Sequence, residues 1–122
     1  MKQLILLLTL ILSLTLWACS SSLDASVLPG KWKTTEWKEL SSGKLIPNQL
    51  DFTFTSDDKY TVDYGSQKEN GTFYLAGEYL HTKEDGAIEK SVRLLKLTKD
   101  SMIFEMNRAG SIEQVTLVKE KS

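Results

Sequence analysis

From Gly30 to Lys119, apolar residues fall on every second position in short runs, and this period decides what the chain can become. Leu50, Phe52 and Phe54 alternate with Asp51, Thr53 and Thr55. Tyr60, Val62 and Tyr64 alternate with Thr61 and Asp63. Gly71, Phe73 and Leu75 alternate with Thr72 and Tyr74, and Met102, Phe104 and Met106 alternate with Ile103 and Glu105. A period of two sends successive side chains to opposite faces of a strand. No helical period of useful length competes with it. Turn-forming residues separate the runs: Ser56-Asp57-Asp58, Gly65-Ser66-Gln67, Ala76-Gly77, Glu84-Asp85-Gly86, Thr98-Lys99-Asp100 and Asn107-Arg108-Ala109-Gly110. Strands joined by hairpins have this pattern.

Further strands at Trp32–Glu39, Tyr79–Lys83, Ser91–Leu97 and Ile112–Lys119 bring the expected number to eight. Each short connection pairs a strand with its predecessor. Such a meander leaves two bare edges unless it closes on itself. The expectation is therefore an all-β, eight-stranded antiparallel up-and-down barrel. A flat meander sheet or a two-sheet sandwich is the alternative. The two prolines, Pro29 and Pro47, fall outside the expected strands, as strand hydrogen bonding requires.

Gly30-Lys31-Trp32 opens the first strand and resembles the Gly-x-Trp signature of the lipocalin and calycin superfamily. The meander that follows fits the same family, as does the hairpin Phe52-Thr53-Phe54-Thr55-Ser56-Asp57-Asp58-Lys59-Tyr60-Thr61-Val62. The resemblance covers roughly residues 28–119 and is to the small bacterial lipocalin-like lipoproteins. It implies that Trp32 plugs the closed end of the barrel. Larger lipocalins place an arginine near the last strand, packed over that tryptophan. Here the strand ends Leu117-Val118-Lys119, with a lysine.

Upstream, Lys2 precedes the apolar run Leu4–Leu16, which stops at Cys19 and Ser20-Ser21-Ser22. The run is shorter than the roughly 20 apolar residues a membrane-crossing helix needs and reads as a secretion signal. Leu16-Trp17-Ala18-Cys19 resembles a bacterial lipobox, with Trp17 standing where a small residue is usual. The resemblance implies a signal peptide over 1–18 and acylation of Cys19 with chains such as palmitate. A plain signal peptide with an unrelated cysteine is the alternative. Two or three acyl chains anchor stably, where one holds only marginally. By the same resemblance, Ser20 after the cysteine points to the outer membrane. Asp24 is the one acidic residue close behind it, so the periplasmic face is expected over the cell surface. Residues 19–28, rich in serine, read as a flexible tether, and 29–122 as the barrel domain.

Removing residues 1–18 of the 122 leaves 104, enough for one small domain. The whole chain has a formal net charge of −1, so loss of Lys2 makes it −2. No basic excess or lysine cluster exists for nucleic acid. No cysteine follows Cys19, so a secreted domain of this size must rest on its own apolar core rather than on disulfides. Aromatic residues spread from Trp32 to Phe104 exclude a disordered chain. His81 is the single histidine. It reads as a surface or rim residue and cannot by itself supply a triad or a metal set. No phosphate-cradling glycine loop is present. The acidic pairs Asp57-Asp58 and Glu84-Asp85 are explained by turn chemistry. No cofactor or metal is expected, and the chain is read as non-catalytic and monomeric. Asn70-Gly71-Thr72 fits an N-glycosylation pattern and Asp100-Ser101-Met102 resembles a bacterial O-glycosylation motif. Both also read as ordinary turn sequence.

Alternation assigns an interior set: Trp32, Leu50, Phe52, Phe54, Tyr60, Val62, Phe73, Leu75, Leu95, Leu97, Met102, Phe104 and Met106. Either these side chains fill the barrel, or they line a pocket for one small apolar ligand. Tyr60, Tyr64 and Tyr79 are then expected to offer hydroxyls near its mouth. The competing expectation is a protein-interaction module with a filled barrel, docking through outward Trp37, Tyr74 and Ile103. An enzyme ranks last because the catalytic inventory is thin.

Overall fold

The computed structural model describes residues 23–121. The expectations for the signal segment, Cys19 and the first part of the tether lie outside these residues. Eight strands follow one another: β1 (Gly30–Glu39), β2 (Asp51–Phe54), β3 (Lys59–Asp63), β4 (Lys68–Ala76), β5 (Tyr79–Glu84), β6 (Lys90–Leu97), β7 (Ser101–Arg108) and β8 (Ser111–Lys119). Each pairs antiparallel with the next, and β8 pairs back onto β1, so the sheet is a closed barrel in up-and-down order. Closure removes both edges. It rests on a long ladder from Trp32↔Lys119 to Glu39↔Glu113.

Two bulges make that ladder and the β6–β7 ladder uneven, and each inverts a face. The β1–β8 register shifts between Thr34 and Glu36, so Thr35 is the extra residue. Alternation resumes one position later, which turns Trp37 inward and leaves it only 6% exposed. The outward, docking role expected for Trp37 is thereby corrected. The β6–β7 register shifts between Leu94 and Lys96. Leu94 is buried, Leu95 is 42% exposed, and Leu97 packs against the core. Leu95 was expected inside; as the inserted residue it points outward instead.

One end of the barrel is closed by the segment ahead of β1. Asp24 caps a single 3-10 turn, Ala25–Val27, by accepting hydrogen bonds from the Ser26 N–H and hydroxyl. The turn delivers Leu28, fully buried, to the base of the core. Trp32, 1% exposed, donates from Nε1 to the Leu28 carbonyl at 2.8 Å. Leu28 is thus packed into the core of the barrel, just ahead of β1. Lys119 lies over the Trp32 ring, its Nζ 5.0 Å from the centroid. Its stem passes Gly30, where an added Cβ would sit 3.3 Å from Lys119 Cε and the backbone φ is +136°. Glycine is suited to both constraints.

Candidate ligand-binding site

The interior is not filled. A cavity of about 560 Å³ lies within the barrel, open toward the end opposite Trp32. Of the interior set, Leu50, Phe52, Phe54, Tyr60, Val62, Met102, Phe104 and Met106 line it. Phe52 stacks on Phe54 at 5.7 Å and meets Phe104 edge-on at 5.9 Å. Phe54 meets Phe73 edge-on at 4.9 Å. These contacts fix the rings as walls and floor. Trp32 and Phe73 are buried in the surrounding core and Leu75 packs against it; none of the three lines the cavity, and Leu95 stands outside the barrel.

A polar girdle rings the upper cavity. β4 starts at Lys68, ahead of the expected Gly71, so the inward face continues from Phe73 and Gly71 to Glu69. Glu69 is 9% exposed. Its Oε2 accepts from the Tyr60 hydroxyl, and its Oε1 accepts from the Tyr64 hydroxyl at 3.2 Å. Lys90 Nζ lies 3.5 Å from the same Oε1. On β8, Glu113 continues the inward face of Val115 and Leu117. Its Oε1 accepts from Trp37 Nε1 at 2.9 Å and from Arg108 Nη1 at 3.2 Å. The Arg108 guanidinium also sits 5.5 Å from the Trp37 ring centroid.

The tyrosines stay protonated. Burial, and then the Glu69 carboxylate that accepts its proton, pushes the Tyr60 phenol above its ordinary value. Burial and the Glu69 charge push Tyr64 up to about 12. Both are therefore fixed neutral donors to Glu69 at ordinary pH. The expected hydroxyls of Tyr60 and Tyr64 are at the mouth; Tyr79 is not. It starts β5, at the opposite end of the barrel, and is 44% exposed.

Alternation missed Trp37, Glu69, Lys90, Arg108 and Glu113. Extending an assigned run by one further step of two would have found two of them: Glu69 precedes Gly71 and Arg108 follows Met106. Lys90 is out of phase with Leu95 and Leu97 and comes inward only because of the bulge at Leu95, and Glu113 lies within the last expected strand, for which alternation assigns no inward face.

Outside the barrel, His81 stacks on Tyr74 at 4.5 Å, and its Nδ1 is 3.5 Å from Glu89 Oε2. The Ser101 hydroxyl is engaged with Thr98 Oγ1 at 3.3 Å in the turn before β7. No cluster of three or more His, Cys, Asp or Glu side chains suited to a metal ion exists among the described residues.

The site is thus an apolar, aromatic and methionine-lined chamber with a charged, hydrogen-bonded rim. Its volume and lining are of the kind found in small-molecule sites. No protein-family model matches the chain, and no curated protein matches it. Among solved structures, it is similar to an uncharacterized protein from Bacteroides eggerthii DSM 20697 with a TM-score of 0.58. The two are 14% identical, over 76% of this chain and 99% of that one. At that identity, what the two share is the barrel fold.

Proposed function

We propose that this protein binds a small apolar or amphipathic molecule inside its barrel, as a lipocalin-like carrier held in the bacterial cell envelope through acylated Cys19. The cavity of about 560 Å³ carries the binding half of this reading. It lies in the size range of small-molecule sites, and its walls come from Phe52, Phe54, Val62, Met102 and Phe104. A docking module would need no such space, and Trp37, one of its three expected contacts, faces the cavity instead. The anchoring half rests on the lipobox-like Leu16-Trp17-Ala18-Cys19 and the apolar run before it. The Gly30-Lys31-Trp32 motif, with a cation over its buried tryptophan, supports the lipocalin-like assignment.

Native mass spectrometry of the full-length protein from its own cells tests the first half. A co-purifying small molecule is expected. A bare protein with a stable protein partner would refute it. For the second half, Cys19→Ala should release the folded domain from the membrane fraction, and retention of that variant would overturn the anchor.

A further inference from the structure

Resting on that cavity-binding function, we propose that the bound molecule is an anionic amphiphile. Its single apolar chain lies in the barrel, and its carboxylate or phosphate-monoester headgroup is held between Lys90 and Arg108.

The barrel wall is parted where these residues stand. The β6–β7 ladder runs from Leu97↔Met102 to Arg93↔Glu105 and stops there. Beyond it, Lys90 to Val92 pair only with β5 or lead into it, and Met106 to Arg108 pair with β8. All six of these residues line the cavity. Continuing the β6–β7 register sets Lys90 opposite Arg108 across the open seam. Each occupies the last inward position of its strand, beyond Val92 and Leu94 on one side and Phe104 and Met106 on the other. Their side chains are 64% and 55% exposed, so the seam is where the cavity meets solvent.

The charges at the seam are not mutually consumed. Like charges opposite one another are unfavourable, and each cation instead has a buried carboxylate of its own. Glu69 has little left to offer a ligand, and Glu113 keeps one oxygen, Oε2, beyond its contacts with Trp37 and Arg108. Glu69 already receives Tyr60, Tyr64 and Lys90, while Glu113 receives Trp37 and Arg108 through one oxygen. The cations keep spare capacity. An ammonium has three donors and a guanidinium five, and one contact to a carboxylate is made by each. An anion at the seam would collect charge-assisted hydrogen bonds from both lips. A cationic headgroup would meet two cations and a single open carboxylate oxygen, Glu113 Oε2, beside the Arg108 guanidinium.

The test uses the full-length protein and displacement of the neutral fluorescent probe N-phenyl-1-naphthylamine. Competitors of equal chain length are dodecanoate, dodecyl phosphate, dodecanol and dodecylammonium. The two anions should displace the probe at least about tenfold more tightly than dodecanol, and that advantage should shrink at high salt. The ratio between the two anions distinguishes a carboxylate ligand from a phosphate one. Lys90→Gln, and Lys90→Gln with Arg108→Gln, should bring the anions down to the level of dodecanol. A native circular dichroism spectrum and an unchanged urea midpoint show that the barrel of each variant is intact; the single variant serves if the double one does not fold. Equal binding of all four competitors, or preference for dodecylammonium, overturns the anion assignment while leaving the cavity function standing. Failure of the probe and every competitor to bind overturns both.

Discussion

Lys119→Met isolates the contact that seals the closed end. In the native barrel the Lys119 ammonium sits 5.0 Å from the Trp32 centroid and donates to the Val27 carbonyl. Trp32 is 1% exposed, so its ring meets the cation with water excluded from one side. A cation over a desolvated tryptophan is worth about 1–2 kcal/mol. The hydrogen bond to Val27 adds less, because that half-buried carbonyl can turn to water. Methionine keeps the stem that packs against Gly30, so packing is nearly conserved. The expected loss is about 2 kcal/mol, or roughly 10 °C in Tm for a domain of this size. Urea unfolding followed by tryptophan fluorescence should show a lower midpoint with an unchanged slope. Lys119→Arg should restore most of the loss, because a guanidinium stacks at least as well. Should Lys119→Met unfold within about 0.5 kcal/mol of the parent, the cation over Trp32 is ornamental and the seal is hydrophobic alone.

Gly71→Ala should be among the most damaging small substitutions in the barrel. Its Cβ would lie 2.0 Å from the Lys83 carbonyl oxygen and 2.8 Å from Glu84 Cα, both backbone atoms of β5. Neither can rotate away, so a cost of about 3 kcal/mol or more is expected, and denaturant unfolding within 1 kcal/mol of the parent would refute it. Alkaline titration should separate the tyrosines. Tyr60 and Tyr64 are raised in the folded protein, so the native state holds their protons more tightly than the unfolded chain. Their contribution is fully present below about pH 10 and is lost as pH rises toward about 12 for Tyr64. Phenolate absorbance that appears for all four tyrosines in one step near pH 10, with no loss of stability above it, would contradict this.

The strands were legible because a barrel wall has one wet face and one dry face, and alternation records that directly. Closure followed from edge chemistry rather than from any single residue. The two faces read wrongly, Trp37 and Leu95, share one cause. Each follows an inserted residue in a bulge or is that residue, at Thr35 in β1 and at Leu95 in β6. A bulge answers the curvature of a closing sheet, and Glu-Trp-Lys or Arg-Leu-Leu-Lys carries no local mark of it. The apolar wall of the site was legible for the same reason as the strands. Its rim was not, because a charged residue next to a turn is ordinarily exposed, and Glu69, Lys90, Arg108 and Glu113 all stand beside turns. Their inward direction comes from strands that run further than their apolar residues do.

The rim also shows why its charges divide as they do. Taking a carboxylate out of water costs several kcal/mol, and a buried ion pair is often no more stabilising than apolar packing. Glu69 and Glu113, at 9% and 6% exposure, are therefore poor choices for stability alone. Their neutral partners carry much of the compensation: the Tyr60 and Tyr64 hydroxyls at Glu69, and the Trp37 indole at Glu113. Because uncharged donors help satisfy the carboxylates, Lys90 and Arg108 are oriented by them without being enclosed by them. Apolar residues at 69 and 113 would pack as well but would leave both cations free to swing into solvent. The buried carboxylates thus act as positioning groups, holding positive charge at the seam where the cavity opens.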